Sequence, residues 1–373
     1  MPQLDFAIWD PLSYTESLTL PTHELYERHL NLAQEVEQMG FHSYFTIEHQ
    51  NADVGVVTGP TVWLTAVARS TSALRIGAMI WQLPFHHPMR LAQEVAMLDQ
   101  LSHGRVEFGT GIGTHEHEFI RWGMEFLERG GRSMEATEII KKAWTQPAVD
   151  HDGEFWHFTE ALPQPHPYQK PHPPIWVGAH GKAALDFAAK GNFHVAQNND
   201  IDSIVIQKFQ YYWQVWEESK HPGPRPRVFL MRPIHVAETD AKAREEAEPF
   251  LITGQAAVGG GRVSQTRVGW GTNPRGQGVF SEREDNKARG ESYKMAAQSW
   301  EYTIDNGLAI VGSPETVIRK IEENRQLMGY DIFCGSHALG EMPWDMQMKS
   351  LRLMGREVLP AFQRVQRPAA VGV

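Results

Sequence analysis

Residues 74–113 constrain the fold more than any other part of the chain. An apolar run over 74–81 is followed by a Pro-containing loop, then by residues 89–101 with Leu91, Val95, Leu98 and Leu101 at helical spacing. A Ser102-His103-Gly104 turn leads into a second apolar run, 106–110, that ends in alternating glycines. Strand, loop, helix, turn, strand is a βαβ unit, the connection that parallel strands require. The alternation recurs along the chain. Further strands are expected over 4–9, 41–47, 175–178, 193–197, 228–236 and 331–335. Helices are expected over 23–39, 60–69, 132–144, from 182, over 201–219 and 240–251, from 313, and over 346–362. Ser313 as cap and Pro314 at the first helical position give the clearest helix start. Residues 147–174 show no sustained period and read as surface loop.

Eight short apolar strands separated by helices describe a parallel sheet covered on both faces, the α/β class. No G-x-G-x-x-G follows the first strand, so a closed (β/α)8 TIM barrel is expected rather than an open doubly wound sheet. The 373 residues are then a single barrel domain, 1–373, with a long insertion over 253–290 between strands seven and eight that reads as a mobile lid loop. Barrel chemistry sits at the C-terminal ends of the strands. That rule selects Trp9 and Asp10, Glu48 and His49, the segments 80–87, 110–117 and 178–182, Asn198 and Asn199, and the segment 335–337.

A net charge of −10 disfavours nucleic acid and anionic membranes as partners. Cys334 is the one cysteine, which excludes an internal disulfide and suits a small buried group in a reducing cytoplasm. With no signal-like N-terminus and no membrane-length apolar run, a soluble cytoplasmic protein is expected.

Glu48-His49 stands where the second strand ends, and an imidazole there is a natural proton donor or acceptor. Glycines and helix-start N–H groups at Gly178, His180, Gly181 and Lys182 suit a phosphate, and Thr110, Gly111 and Ile112 suit close approach of a ligand. Each loop also reads as a plain turn or bulge. Trp9 and Trp81 are the tryptophans expected to wall a substrate pocket. His86-His87, the His115-Glu116-His117-Glu118 run, His166 and His172 lack metal-site spacing and are expected as solvated loop, so no metal is expected.

The segment 74–113 also resembles the bacterial-luciferase-like flavin monooxygenases, where H-P-x-R-L-A-x-x-x-x-x-L-D-x-L-S-x-G-R-x-x-x-G is characteristic. Further likenesses are Glu48-His49-Gln50, where the family often has E-H-H, P-P-I-W-V-G at 173–178, G-S-P-E-x-V at 312–317 and E-V-L-P-A-F at 357–362. The resemblance implies a barrel, commonly dimeric, that takes reduced FMN as a co-substrate from a separate NAD(P)H:flavin reductase. With O2 the flavin forms a C4a-peroxide that oxygenates a small organic substrate, here expected to be apolar. It implies acid–base work for His49 beside Glu48, and flavin contact with Ala78, Met79 and Ile80 across a non-prolyl cis peptide at Met79–Ile80. The family's Arg, Ser and Thr at the flavin phosphate are matched here by Ile112, Gly181 and Ala184. Phosphate binding would therefore fall to backbone N–H groups with Lys182 or Arg121. An F420-dependent hydride-transfer enzyme and a non-catalytic flavin-binding relative are the alternatives on the same fold.

Overall fold

The computed structural model describes residues 3–51, 54–198, 200–258 and 291–363. Its strands are β1 (Asp5–Trp9), β2 (Ser43–Thr46), β3 (Arg75–Gln82), β4 (Val106–Gly111), β5 (Val149–Asp152), β6 (His157–Ala161), β7 (Ile175–Gly178), β8 (His194–Asn198), β9 (Val228–Val236), β10 (Ile310–Gly312) and β11 (Ile332–Ser336). The order β9-β11-β1-β2-β3-β4-β7-β8 is parallel throughout and closes through a β8–β9 pairing, so the expected eight-stranded barrel is observed.

Side-chain alternation divides the core in two. In β1, Ala7 and Trp9 face the barrel interior with Phe45, Met79, Trp176, Phe229, Met231, Ile332 and the buried Cys334. Phe6 and Ile8 point the other way, into the shell between strands and helices. Around the barrel lie helices α1 (Thr22–Gln38), α2 (Pro60–Ser70), α3 (Pro88–Leu101), α4 (Glu116–Arg121), α5 (Arg129–Thr145), α6 (Lys182–Lys190), α7 (Asp202–Ser219), α8 (Asp240–Val258), α9 (Trp300–Asp305), α10 (Pro314–Met328) and α11 (Trp344–Leu353), of which α8 and α9 pack in a separate cluster with Ala237, Leu339 and Met342. α10 starts as its sequence dictates: Ser313 Oγ accepts from the Thr316 N–H, and Pro314 opens the helix.

Three departures from expectation have local causes. The expected loop over 147–174 contains the antiparallel hairpin β5–β6, whose polar, largely exposed residues leave no apolar alternation to read. β10, too short for any pattern, adds a parallel strand beside the C-terminal half of β9. The expected lid begins inside α8, which continues to Val258, while residues 259–290 lie outside those described. Among the described residues no helix is long and apolar enough to cross a membrane.

Candidate active site

β2 delivers Glu48-His49-Gln50 to the barrel mouth, and α4 delivers Glu118 opposite them. His49 Nδ1 lies 2.7 Å from Glu118 Oε1, and His115 Nδ1 lies 3.2 Å from the same oxygen. The Gln82 amide donates to Glu118 Oε2 at 2.9 Å, and the Gln50 N–H donates to it at 3.3 Å. The Glu118 side chain is fully buried, while His49 keeps 17% of its surface exposed. Burial alone would raise the Glu118 carboxyl. The hydrogen bonds from His115 and His49, and the charge on those rings, outweigh it and hold the group well below the ordinary carboxylate range.

Glu48 faces away from the mouth. Its carboxylate is fully buried and accepts from the Gln82 N–H at 2.8 Å and the Gln50 amide at 2.6 Å, with His86 Nε2 at 2.9 Å. Burial works against a charge on His86, but Glu48 beside it raises the imidazole above its ordinary value. Gln82 ties the two carboxylates together, donating also to the Glu48 carbonyl at 2.6 Å. Of the expected pair, then, His49 keeps an exposed edge and the Glu48 carboxylate is enclosed.

The run at 115–118 is not the solvated loop expected of it: His115, His117 and Glu118 are all buried. The missed signal is the i,i+3 spacing of His115 and Glu118, which places both on one side of a turn just past a strand end. The ligand atoms of His49, His115 and Glu118 lie within 4.8 Å of one another, the reach of a shared cation. Those same atoms are already paired by hydrogen bonds.

The Met79–Ile80 peptide is cis, as the resemblance implies. The β3–β4 register shifts between Ala78 and Trp81. The glycines of β4 face this irregularity: a side chain at Gly109 would overlap the Ala78 carbonyl, and one at Gly111 would overlap the Ile80 side chain. Gly178 has Ile80 against it as well. These glycines make room for β3. Ala78 is buried in the outer shell, Met79 borders the interior and Ile80 is half-buried. Trp9 is at the interior, whereas Trp81 packs in the outer shell. The register shift turns it outward, fully buried, with its ring centroid 5.0 Å from that of Phe108. Thr110 is also internal, donating to the Trp176 carbonyl at 3.1 Å.

Just beyond Gly178, Gly181 caps α6 with no side-chain hydrogen bond to its first turn, which suits an anion. Neither cation expected to assist points there unengaged. Lys182 is exposed and paired with Asp186 and Tyr211, and Arg121 donates to the Asn51 carbonyl. Ile112 and Ala184 are half-buried and offer no side-chain donor. Lys208, from α7, was not expected: its Nζ is 2.8 Å from Asp200, whose other neighbour is His180 at 3.4 Å. Farther round, His337 is buried beside His235 and is pushed down to about 3, so it stays neutral. Asn199 lies outside the described residues.

The family model for luciferase-like monooxygenases matches residues 6–331. The chain belongs to that family. Its barrel fold and its standing as a luciferase-like oxidoreductase follow from the membership. The oxygenase component of the flavin-dependent trigonelline monooxygenase of Acinetobacter baylyi is 27% identical over 345 residues, covering 91% of this chain and 90% of that protein. Among solved structures, the oxygenating constituent of 3,6-diketocamphane monooxygenase from Pseudomonas putida, in complex with FMN, superposes with a TM-score of 0.73. It is 19% identical, and the match covers 96% of this chain and 98% of that one. The F420-dependent tetrahydromethanopterin reductase of Methanopyrus kandleri gives a TM-score of 0.67 at 21% identity, over 96% and 99% of the two chains. At the strand ends of this barrel the chain places His49, Met79 and the start of α6.

Proposed function

We propose that the protein is the oxygenase component of a two-component monooxygenase. It takes reduced FMN from a separate NAD(P)H:flavin reductase and uses O2 to oxygenate a small apolar substrate. The observation that carries this reading is His49, partly exposed at the mouth and anchored through Nδ1 on a buried carboxylate. Bound reduced FMN would supply the electrons and the oxygen-transfer chemistry. The chain's own residues bind it, exclude water and handle protons. His49 Nε2 would take or return a proton, the backbone at Met79 and Ile80 with Gly178 would hold the ring, and the first turn of α6 with Lys208 and His180 would hold the phosphate. The apolar interior around Trp9, Met79, Phe229 and Met231 supports an apolar substrate. Val62, Met97 and Leu101, exposed on the neighbouring helices α2 and α3, support a homodimer.

The missing phosphate Arg favours one alternative, an F420-dependent hydride-transfer enzyme. Oxygen uptake measured with chemically reduced FMN, then with reduced F420, separates the two, using trigonelline and apolar aldehydes and ketones as trial substrates. Uptake and product with FMN are expected. Substrate reduction by F420 without oxygen uptake would replace this reading by the alternative.

A further inference from the structure

The Glu118 carboxylate takes two imidazoles on one oxygen. Oε1 accepts from His49 at 2.7 Å and from His115 at 3.2 Å, while Oε2 is occupied by Gln82 and Gln50. An ionised carboxylate only accepts, so both Nδ1 atoms carry hydrogens and the His49 lone pair resides on Nε2. The two ring centroids are 5.1 Å apart, so a second positive charge there would face a like charge across one carboxylate. The other groups around the pair are His117 against His115, Glu48 with His86 behind Gln82, and Arg121 on the Asn51 carbonyl. Gln50 stands where the family often has a second histidine, and His115 brings a second ring to the site from another loop.

We propose that Glu118 and His115 are positioning residues for His49. The shared Oε1 fixes His49 as its Nδ1–H tautomer, and His115 divides that oxygen so that the two rings together carry at most one positive charge rather than two. The inference rests on the reading of His49 as an acid–base group at a flavin.

The test has two readouts. Long-range 1H–15N NMR of the flavin-free protein reads the His49 tautomer directly, in wild type, E118Q, H115N and H115F. Wild type is expected as Nδ1–H, whereas E118Q, whose amide can donate, shifts His49 toward Nε2–H. The second readout is O2-dependent reoxidation of reduced FMN from pH 5.5 to 9. H115F should move the acid limb to higher pH, with a rate at pH 6 about 3–10-fold below wild type and convergence at alkaline pH. H115N, which keeps an N–H toward Oε1, should restore the limb. An unchanged tautomer in folded E118Q, coincident limbs for H115F and wild type, or Zn2+ displacing the Nδ1 hydrogens at neutral pH would each overturn the proposal. Should E118Q not fold, the H115F and H115N pair decides. If the tautomer responds as expected but H49A leaves flavin oxidation and product formation intact, the positioning stands and the acid–base reading of His49 falls.

Discussion

Two buried histidine–carboxylate clusters in this barrel have inverted stoichiometry. At the mouth, one carboxylate, Glu118, lies between two rings, His49 and His115. Behind β1 and β2, one ring, His29, lies between two carboxylates, with Nδ1 2.8 Å from Asp10 and Nε2 2.9 Å from Glu16. Both nitrogens of His29 are committed and the ring is 3% exposed. Burial opposes its charge, but Asp10 and Glu16 outweigh burial and lift it to about 9. That ring holds its proton at neutral pH and serves as glue. His49 commits one nitrogen, keeps an exposed edge and shares its anion. The number of partners, not the presence of a His–carboxylate contact, separates a group that can move protons from one that cannot.

Substitution of each ring should divide the roles cleanly. His49→Ala is expected to fold and bind reduced flavin but to lose product formation by about 10²–10⁴-fold, the worth of a positioned acid–base group. His29→Ala strands two carboxylates and should cost about 3–5 kcal/mol of stability in urea unfolding, with turnover per folded molecule retained. If His49→Ala instead destabilised the protein and left turnover unchanged, the contrast between the clusters would collapse.

The inverted ratio also predicts opposite pH signs. The folded value of His29 lies above its unfolded value of 6.5, so its contribution is complete below about 6.5 and is lost as pH rises through about 9. The loss is on the order of 3 kcal/mol. Glu118 is held below its unfolded value of 4.5, so its contribution is present above about 4.5 and is lost as pH falls. Thermal midpoints measured from pH 4 to 10 should fall at both ends. His29→Ala should flatten the alkaline fall, and E118Q the acid one. An alkaline fall that persists in His29→Ala would assign it elsewhere.

Much of the architecture was legible because it is local. Each barrel strand carries at least two apolar residues in a short local stretch, and His49 stands just past a strand end. What escaped notice depends on contacts between distant segments. Glu118 gains its meaning from His49, 69 positions away. Trp81 would share the inward face of Met79 by simple alternation, and the shift between Ala78 and Trp81 reverses it. Glu48 was expected beside His49 in acid–base work. Consecutive residues at a strand end point apart, and Gln82, Gln50 and His86 claim its carboxylate.

The smallest effect sharpens the comparison from its sealed side. The Tyr44 hydroxyl donates to Asp10 Oδ2 at 2.7 Å and accepts from Trp63 Nε1 at 3.1 Å. Burial, and Asp10 beside it, push the phenol well above its ordinary value, so it remains a neutral donor at any working pH. Tyr44→Phe removes one hydrogen bond to a charged acceptor and leaves an indole N–H in a nearly closed site. The expected cost is about 2 kcal/mol in urea unfolding. His29 still bridges Asp10 and Glu16 in this variant, so the alkaline fall should persist, and the mouth is untouched, so the pH profile of flavin reoxidation should match wild type. A changed reoxidation profile in Tyr44→Phe would mean that the two clusters communicate through β2, and that the sealed one is part of the site.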